Sequence, residues 1–242
     1  MLKTIALLAA FFIYQTSFAQ FSDSTHHYIG LIASGSANKT DDGNSYLLNN
    51  AFKFGLKKKT ISLNATNSWV YGRQDEGLTN NDFSSSVDFN IFQTPRFYYW
   101  GLANYNTSYS LKINNQLLTG LGLAYSVIES KSAFLNFSDG IVYDKSDLYL
   151  QDTIRDVYDT FRNSFRVSFR FALKELMVLD GSSYIQNSLN YKNDYILRSN
   201  VNLSFKIRKW LSLTTSLNHN RINRTQRENM LISYGLKAEK FW

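Results

Sequence analysis

Histidine is the first residue type to consider for catalysis, because the chain contains only three: His26, His27 and His219. A serine hydrolase needs a base within hydrogen-bond reach of its nucleophile and a third group that orients the base. No serine stands two residues after His219, and the neighbours His26 and His27 would point to opposite faces of a strand. The sequence therefore predicts no catalytic residue, no metal site and no cofactor, and we interpret the protein as one that is not an enzyme.

Other chemistry-bearing residues are equally sparse. Cysteine is absent, which excludes disulfides, cysteine zinc sites and thiol nucleophiles. The acidic pairs Asp41-Asp42 and Asp75-Glu76 could attract divalent cations. Solvated loop carboxylates are the commoner explanation for such pairs, so we assign them no site.

Basic residues outnumber acidic ones, with 26 Lys and Arg against 19 Asp and Glu and a formal net charge of +7. They are spread along the chain rather than grouped in runs of about five or six, so we expect no nucleic-acid partner. Acids on the polar faces are few, among them Asp88, Asp180 and Glu239. Seven basic residues are assigned to the polar face of an alternating segment: Lys53, Arg162, Arg166, Arg170, Arg198, Lys206 and Arg208.

Alternation of apolar and polar residues is the pattern that positions these side chains, because every second residue of a strand lies on one face. Between 195 and 207 only Ser199 breaks the apolar face, and between 117 and 127 the second face is small, with Gly120, Gly122 and Ala124. The pattern predicts twelve strands, although a count of ten also stays open. The candidate strands are 26–36, 46–57, 59–71, 81–93, 96–110, 116–128, 132–144, 159–173, 176–191, 195–207, 210–221 and 228–242.

Strand length and connection length indicate a membrane protein. Most candidates have about 11 to 15 residues, against five or six in ordinary globular strands and about 9 to 11 in membrane-spanning ones. Strands cross lipid only as a closed barrel, because no backbone group can stay unpaired there. Connections near 58, 95, 130, 175 and 209 are short, whereas 37–45, 72–80 and 145–158 are predicted as long outer loops. We therefore predict an all-β fold, a single antiparallel transmembrane β-barrel of about twelve strands.

The four tryptophans, Trp69, Trp100, Trp210 and Trp242, all lie near predicted strand ends. Indole rings settle at the level of lipid headgroups, so we predict that these residues form part of a membrane-interface girdle. The alternative is that the aromatic residues are present simply as good strand formers. The last strand ends in Phe241-Trp242, as outer-membrane strands usually end in an aromatic residue.

The N-terminus predicts export. Lys3 precedes an almost unbroken apolar run from Thr4 to Tyr14, and Ser17-Phe18-Ala19 fits a cleavage site, which together are typical of a signal peptide. We expect residues 1–19 to be a cleavable signal peptide and residues 20–242 to be one barrel domain. The predicted location is the outer membrane of a Gram-negative type of envelope. Its lipid and, during biogenesis, the barrel-assembly machinery are the expected partners.

Three segments resemble a known family. They are Trp100-Gly101-Leu102-Ala103-Asn104-Tyr105, Ser108-Tyr109-Ser110-Leu111-Lys112-Ile113-Asn114-Asn115-Gln116 and Gly120-Leu121-Gly122-Leu123-Ala124-Tyr125. The chain is similar there to the salt-induced outer-membrane proteins, which share a domain of unknown function, and the likeness is clearest over 96–173. The resemblance implies a one-domain outer-membrane barrel with no assigned reaction, and it supplies no functional residue.

Three functions stay open at this point. The first is a narrow pore or envelope-maintenance protein, whose basic lumen would favour a small anionic solute, although the same residues could instead pair with lumen acids as a plug. The second is a structural or surface-interaction barrel that acts through its outer loops, especially 145–158. The third is a membrane-embedded lipid hydrolase, which the shortage of histidine disfavours.

Overall fold

The computed structural model of the protein describes residues 27–41, 43–130, 132–150, 153–174 and 176–242. The predicted signal peptide, residues 1–19, and His26 lie outside the described residues. The strands are β1 His27–Thr40, β2 Gly43–Lys58, β3 Ile61–Gln74, β4 Gly77–Phe92, β5 Phe97–Ser108, β6 Ile113–Glu129, β7 Ala133–Leu150, β8 Ile154–Leu173, β9 Met177–Ser188, β10 Tyr195–Lys206, β11 Leu211–Ile222 and β12 Arg227–Phe241.

Each strand pairs antiparallel with its sequence neighbour, and β1 pairs with β12 to close the barrel. Closure gives every strand a partner on both sides, which is the condition for crossing lipid. The prediction of an antiparallel barrel of about twelve strands is therefore confirmed, and each of the twelve candidates overlaps one strand. Among the described residues, no helix is long and apolar enough to cross a membrane.

The barrel presents apolar side chains outward and polar side chains inward. On β4, Phe83, Val87 and Phe89 are exposed on the outer surface, whereas Ser84 and Ser86 line the interior. The same alternation runs around the wall, so that large apolar residues are exposed on the outside of every strand from β1 to β8. This arrangement is the reverse of a water-soluble barrel and is typical of barrels that face lipid.

The first described residue, His27, and the last residue, Trp242, lie together at one end of the barrel, which we call the terminal end. There the backbone nitrogen of His27 donates to the carbonyl of Trp242 at 2.9 Å, and the nitrogen of Trp242 donates to the carbonyl of His27 at 3.1 Å. The opposite end is called the distal end. The terminal-end connections are short, as the sequence predicts, and connect β2 to β3, β4 to β5, β6 to β7, β8 to β9 and β10 to β11.

The long outer loops expected at 37–45, 72–80 and 145–158 differ from the structure. Most of these residues extend the strands: β1 and β2 pair as far as Thr40 and Gly43, and β7 and β8 pair as far as Leu150 and Ile154. These segments lie where regular alternation of apolar and polar residues stops. Ladder hydrogen bonds do not need an apolar face once a strand has left the lipid, so the pairing continues.

Strand lengths differ most at the hairpin of β7 and β8, which have 18 and 20 residues, next to β9 with 12. Pairing of β8 with β9 begins only at Arg162 and Ser188, so the distal part of the hairpin extends past β9. The β9–β10 connection turns back along this edge, where the nitrogen of Leu189 donates to the carbonyl of Phe161 at 2.8 Å. That connection reaches the interior through Asp194, which is buried.

The interior holds two apolar clusters. One lies at the distal end and contains Leu111, Ile113, Leu148, Tyr158, Ile196 and Ile222. The other contains Tyr98, Trp100, Leu118, Ala124 and Val142. Gly122 on β6 pairs with Gly140 on β7, and a Cβ on either would stand 2.6 Å from Cζ2 of Trp100. The small face that the sequence shows on β6 therefore makes room for an indole inside the barrel.

Candidate functional site

An ion network fills part of the interior at the distal end, and Arg162 on β8 is its centre. The Arg162 side chain is fully buried, with Nε donating to Asp144 Oδ2 at 2.7 Å and Nη2 donating to Asp194 Oδ2 at 3.1 Å. Nη2 also donates to the hydroxyl of Tyr158 at 2.9 Å. With two buried carboxylates as partners, Arg162 has a structural role and does not line open space.

Arg224, in the β11–β12 connection, joins the same network. Its Nε donates to Asp156 Oδ2 at 2.5 Å, and its guanidinium carbon lies 3.9 Å from the ring centroid of Tyr158 and 4.7 Å from that of Tyr191. We call the set Asp144, Asp156, Tyr158, Arg162, Asp194 and Arg224 the distal plug. Of these six residues the sequence predicted only Arg162 as a candidate, because the proximity of the others depends on barrel closure and on the way two connections turn inward.

The larger cavity, which we call the main cavity, has a volume of about 280 Å³. Amide and hydroxyl side chains dominate its lining: Asn49, Thr66, Ser68, Ser84, Asn106, Ser108, Asn200, Asn202, Ser216, Asn218, Asn220 and Asn229. Lys53 and Arg198 are its cations, and Asp82 is its acid. Such neutral groups can both donate and accept hydrogen bonds, so the cavity can solvate a polar solute.

The charged groups of the main cavity are not equally available. Asp82 accepts hydrogen bonds from Ser108 Oγ at 2.7 Å, Ser110 Oγ at 2.6 Å and Asn80 Nδ2 at 3.1 Å. Arg198 donates from Nη2 to Gln116 Oε1 across the interior at 2.8 Å, and its Nε is buried with no hydrogen-bond partner among the described residues. The oxygens of Asp82 are therefore already hydrogen-bonded to side chains of the protein, whereas Arg198 keeps unused donors.

A smaller cavity of about 230 Å³, the side cavity, adjoins the main cavity, since Ser84 lines both. Its lining includes Asp88, Trp100, Arg166, Tyr184 and Gln186. The guanidinium carbon of Arg166 lies 5.9 Å from the Trp100 ring centroid, and Arg166 Nε donates to Ser138 Oγ at 3.3 Å. Arg166 thus faces open interior space, in contrast to Arg162.

The remaining predicted lumen cations lie toward the terminal end. Arg170 interacts electrostatically with Asp180 and Glu239, and Lys206 is half-buried at the end of β10. Arg208 differs from the prediction, because β10 ends at Lys206 and Arg208 is exposed in the β10–β11 connection. The seven predicted residues therefore do not form one ladder. They divide between the distal plug, the two cavities, the terminal end and the outside.

The four tryptophans also divide. Trp69 is exposed on the outer surface, where its Nε1 donates to Asn81 Oδ1 at 3.0 Å, and Trp210 and Trp242 are exposed at the terminal end. Trp100 differs from the interface prediction, since it lies inside the barrel with Nε1 donating to the carbonyl of Leu123 at 3.1 Å. The physical reason is parity: Trp100 shares its face with Tyr98 and Leu102, which also point inward.

Neither a hydrogen-bonded serine–histidine pair nor a metal-holding group is present in the described ranges. His219 Nε2 lies 2.8 Å from Glu228 Oε1 at the distal end, and no serine hydroxyl forms a hydrogen bond with the histidine there. No group of three or more His, Cys, Asp and Glu is placed to hold a metal among these residues. The absence of both carries no conclusion about activity, and the interpretation as a non-enzyme stays a prediction.

Solved outer-membrane barrels resemble the fold. The NanC porin superposes with a TM-score of 0.54 at 10% identity, covering 88% of this chain and 99% of the porin. An outer membrane channel from Pseudomonas putida F1 gives a TM-score of 0.52 at 10% identity, with 95% of this chain and 100% of the channel covered. Likeness at this identity shows the fold alone. No curated protein sequence matches the chain.

A family model supplies the remaining comparison. The model described as "Protein of unknown function, DUF481" matches residues 33–230, which is most of the barrel. This match agrees with the predicted resemblance as far as a domain of unknown function, whereas the salt response of that resemblance stays a prediction. The chain belongs to the DUF481 family of proteins of unknown function.

Proposed function

We propose that the protein is an outer-membrane barrel that forms a narrow passage favouring small anionic solutes. The main cavity carries this proposal. It is a polar space inside a closed barrel, with Lys53 and Arg198 as its cations and with its one acid, Asp82, held by three side-chain donors. Placement in the outer membrane is supported by the apolar outward face and by strands long enough to span lipid.

Electrostatics gives the direction of selectivity. Fixed cations in a narrow lumen raise the local concentration of anions and repel cations. The surrounding amides and hydroxyls replace part of the water around a solute without adding charge. Lys53 and Arg198 are therefore the residues expected to set ion preference.

The passage is expected to be narrow. Twelve strands enclose an interior between the filled core of eight strands and the aqueous channel of sixteen or more. The distal plug also occupies the interior beside β7 and β8, whereas the main cavity is lined largely by β2 to β5 and β10 to β12. Any flux would follow the main-cavity side, so we expect small conductance steps.

Ion selectivity in planar bilayers tests the proposal. Purified protein in a potassium chloride gradient should give a reversal potential that favours chloride, and Lys53→Gln with Arg198→Gln should shift it toward zero preference. The matched control is Arg208→Gln, which removes the same charge from the exposed β10–β11 connection and should leave the potential unchanged. Absence of any chloride preference in the unmodified protein contradicts the proposal.

A surface-interaction role is the second candidate function. One observation favours it: the distal part of the β7–β8 hairpin exposes Tyr149, Ile154 and Val157, which lie beyond the start of β8–β9 pairing. Replacing Ile154 and Val157 by Ser should then abolish adhesion or binding to cells while conductance stays intact. If adhesion and conductance are both unchanged in this variant, the second role loses its support.

A further inference from the structure

We propose that the side cavity binds a small zwitterionic solute, with Arg166 receiving its carboxylate and Asp88 its ammonium group. The inference goes beyond the anion-favouring passage, because its solute carries both charges, and it rests on that passage only for the route by which the solute reaches the side cavity. Binding itself is measurable without transport. The argument depends on two opposite charges that share a cavity without pairing with each other.

Arg166 has donors to spare. A guanidinium carries five N–H donors, and the one hydrogen bond of Arg166 to the described residues uses Nε, which donates to Ser138 Oγ at 3.3 Å. Arg162, four residues earlier on the same face of β8, instead pairs with both Asp144 and Asp194. The terminal nitrogens of Arg166 are therefore available to a carboxylate in the cavity.

Asp88 is the complementary anion. It is half-buried on β4, and within the described ranges it makes no hydrogen bond or ion pair, although it interacts electrostatically with Arg166. Asp82, on the same face of the same strand, is satisfied by Ser108, Ser110 and Asn80. A partly buried carboxylate normally has donors, so one that lacks them beside a cavity indicates a place for a ligand donor.

Gln186 and Trp100 also line the side cavity. Gln186 is almost fully buried, and its Nε2 donates to Ser164 Oγ at 3.2 Å, while Oε1 has no hydrogen-bond partner among the described residues. Trp100 forms a rigid wall, because its nitrogen is bonded to the backbone and its ring packs over Gly122 and Gly140.

Charge balance selects a zwitterion over a simple ion. An anion would pair with Arg166 but would be repelled by Asp88. A cation would pair with Asp88 but would be repelled by Arg166. A solute with both charges satisfies both side chains and adds no net charge to the interior. The volume of about 230 Å³ lies below that of drug-sized pockets, which start at roughly 300 Å³, so the solute must be small.

Saturation-transfer NMR on the full chain in detergent tests the inference. The probes are glycine, β-alanine and 4-aminobutyrate, whose charges stand progressively further apart, with propionate and propylammonium as single-charge controls. At least one zwitterion should bind at least about tenfold more tightly than either control, which corresponds to one charge-assisted hydrogen bond. Equal binding of propionate and the zwitterions would overturn the inference.

Variants locate the site. Arg166→Gln and Asp88→Asn should each weaken zwitterion binding at least about tenfold. Arg170→Gln and Asp180→Asn, which change matching charges nearer the terminal end, should leave it unaltered. Arg166→Lys keeps the charge but not the planar fork, so it should bind with intermediate affinity and serves if Arg166→Gln fails to fold.

The outcomes separate this inference from the proposed passage. If Arg166→Gln weakens binding and Asp88→Asn does not, the site binds an anion rather than a zwitterion. If neither variant changes binding, the proposed site is wrong. Chloride-selective conductance without zwitterion binding leaves the passage standing and overturns the inference. Zwitterion binding without conductance supports the site and contradicts the passage.

Discussion

Arg162 is buried between two carboxylates, so the barrel should tolerate the loss of either partner poorly. Removing one partner of a buried ion pair leaves an uncompensated charge, so Asp144→Asn should lower the free energy of unfolding by about 3 kcal/mol or more. The control is Arg221→Gln, which breaks an exposed pair with Glu228 and should cost about 1 kcal/mol or less. Urea unfolding of the two variants in the same detergent measures the difference, and equal costs would contradict the structural role of Arg162.

Gly122 is a residue at which one added atom, a Cβ, would clash with its neighbours. A Cβ there would stand 2.2 Å from the carbonyl oxygen of Asp139 and 2.6 Å from the Trp100 ring. Gly122→Ala should therefore destabilise the barrel by about 1 to 3 kcal/mol and should change the fluorescence of Trp100.

Gly30→Ala provides the matched control for this substitution. Its Cβ would meet the end of the Tyr28 side chain, which can move aside, so a smaller cost is expected. Unchanged fluorescence and stability in Gly122→Ala would show that the indole does not depend on the glycine pair.

Parity predicts the direction of a side chain but not its partners. Six of the seven basic residues assigned to the polar face lie on inward-facing strand positions, because alternation fixes that property locally. Partners depend on the stagger of the closed barrel: Arg198 meets Gln116, which is 82 residues away in the chain. The interface prediction for Trp100 has a different cause, since proximity to a turn does not show which face of the strand a ring occupies.

At the scale of elements, β12 closes the barrel and its last residues hold the seam. Trp242 exchanges two backbone hydrogen bonds with His27 and stacks on its ring with a centroid distance of 5.7 Å. Deleting Phe241 and Trp242 should hinder assembly in the membrane while export continues. Fractionation with a heat-modifiability gel measures both, and Trp242→Phe is the control that keeps an aromatic ring. Normal insertion of the deletion would contradict the role of the terminal strand.

The strands themselves were largely predictable, and their distal ends were not. Alternation between 195 and 207 predicts β10 within about a residue at each end, because lipid outside and polar groups inside impose period two. Beyond the lipid the outward residues become polar, as in Lys39 on β1, and the pattern disappears although the pairing continues. Apolar periodicity therefore marks the part of a strand that meets lipid, which is shorter than the strand.

At the scale of the whole molecule, the interior has two unlike sides. The side of β7 and β8 holds the distal plug, the cluster around Trp100 and part of the side cavity, whereas β2 to β5 and β10 to β12 line most of the main cavity. The sequence left open whether the inward arginines pair with acids or line open space. Both occur in this barrel, since Arg162 pairs with acids and Arg166 and Arg198 line cavities. The sequence could not separate them, because pairing depends on which residues the closed barrel places at one height.

The central claim is that polar solutes enter the barrel interior while lipid covers its outside, and cysteine accessibility tests it most directly. The natural chain has no cysteine, so a single introduced thiol reports one position. Ala51 lines the main cavity and the adjacent Phe52 is exposed on the outer surface. In liposomes, a membrane-impermeant anionic thiol reagent should label Ala51→Cys and reduce conductance, and it should leave Phe52→Cys unmodified. Labelling of Phe52→Cys with Ala51→Cys protected would contradict the account.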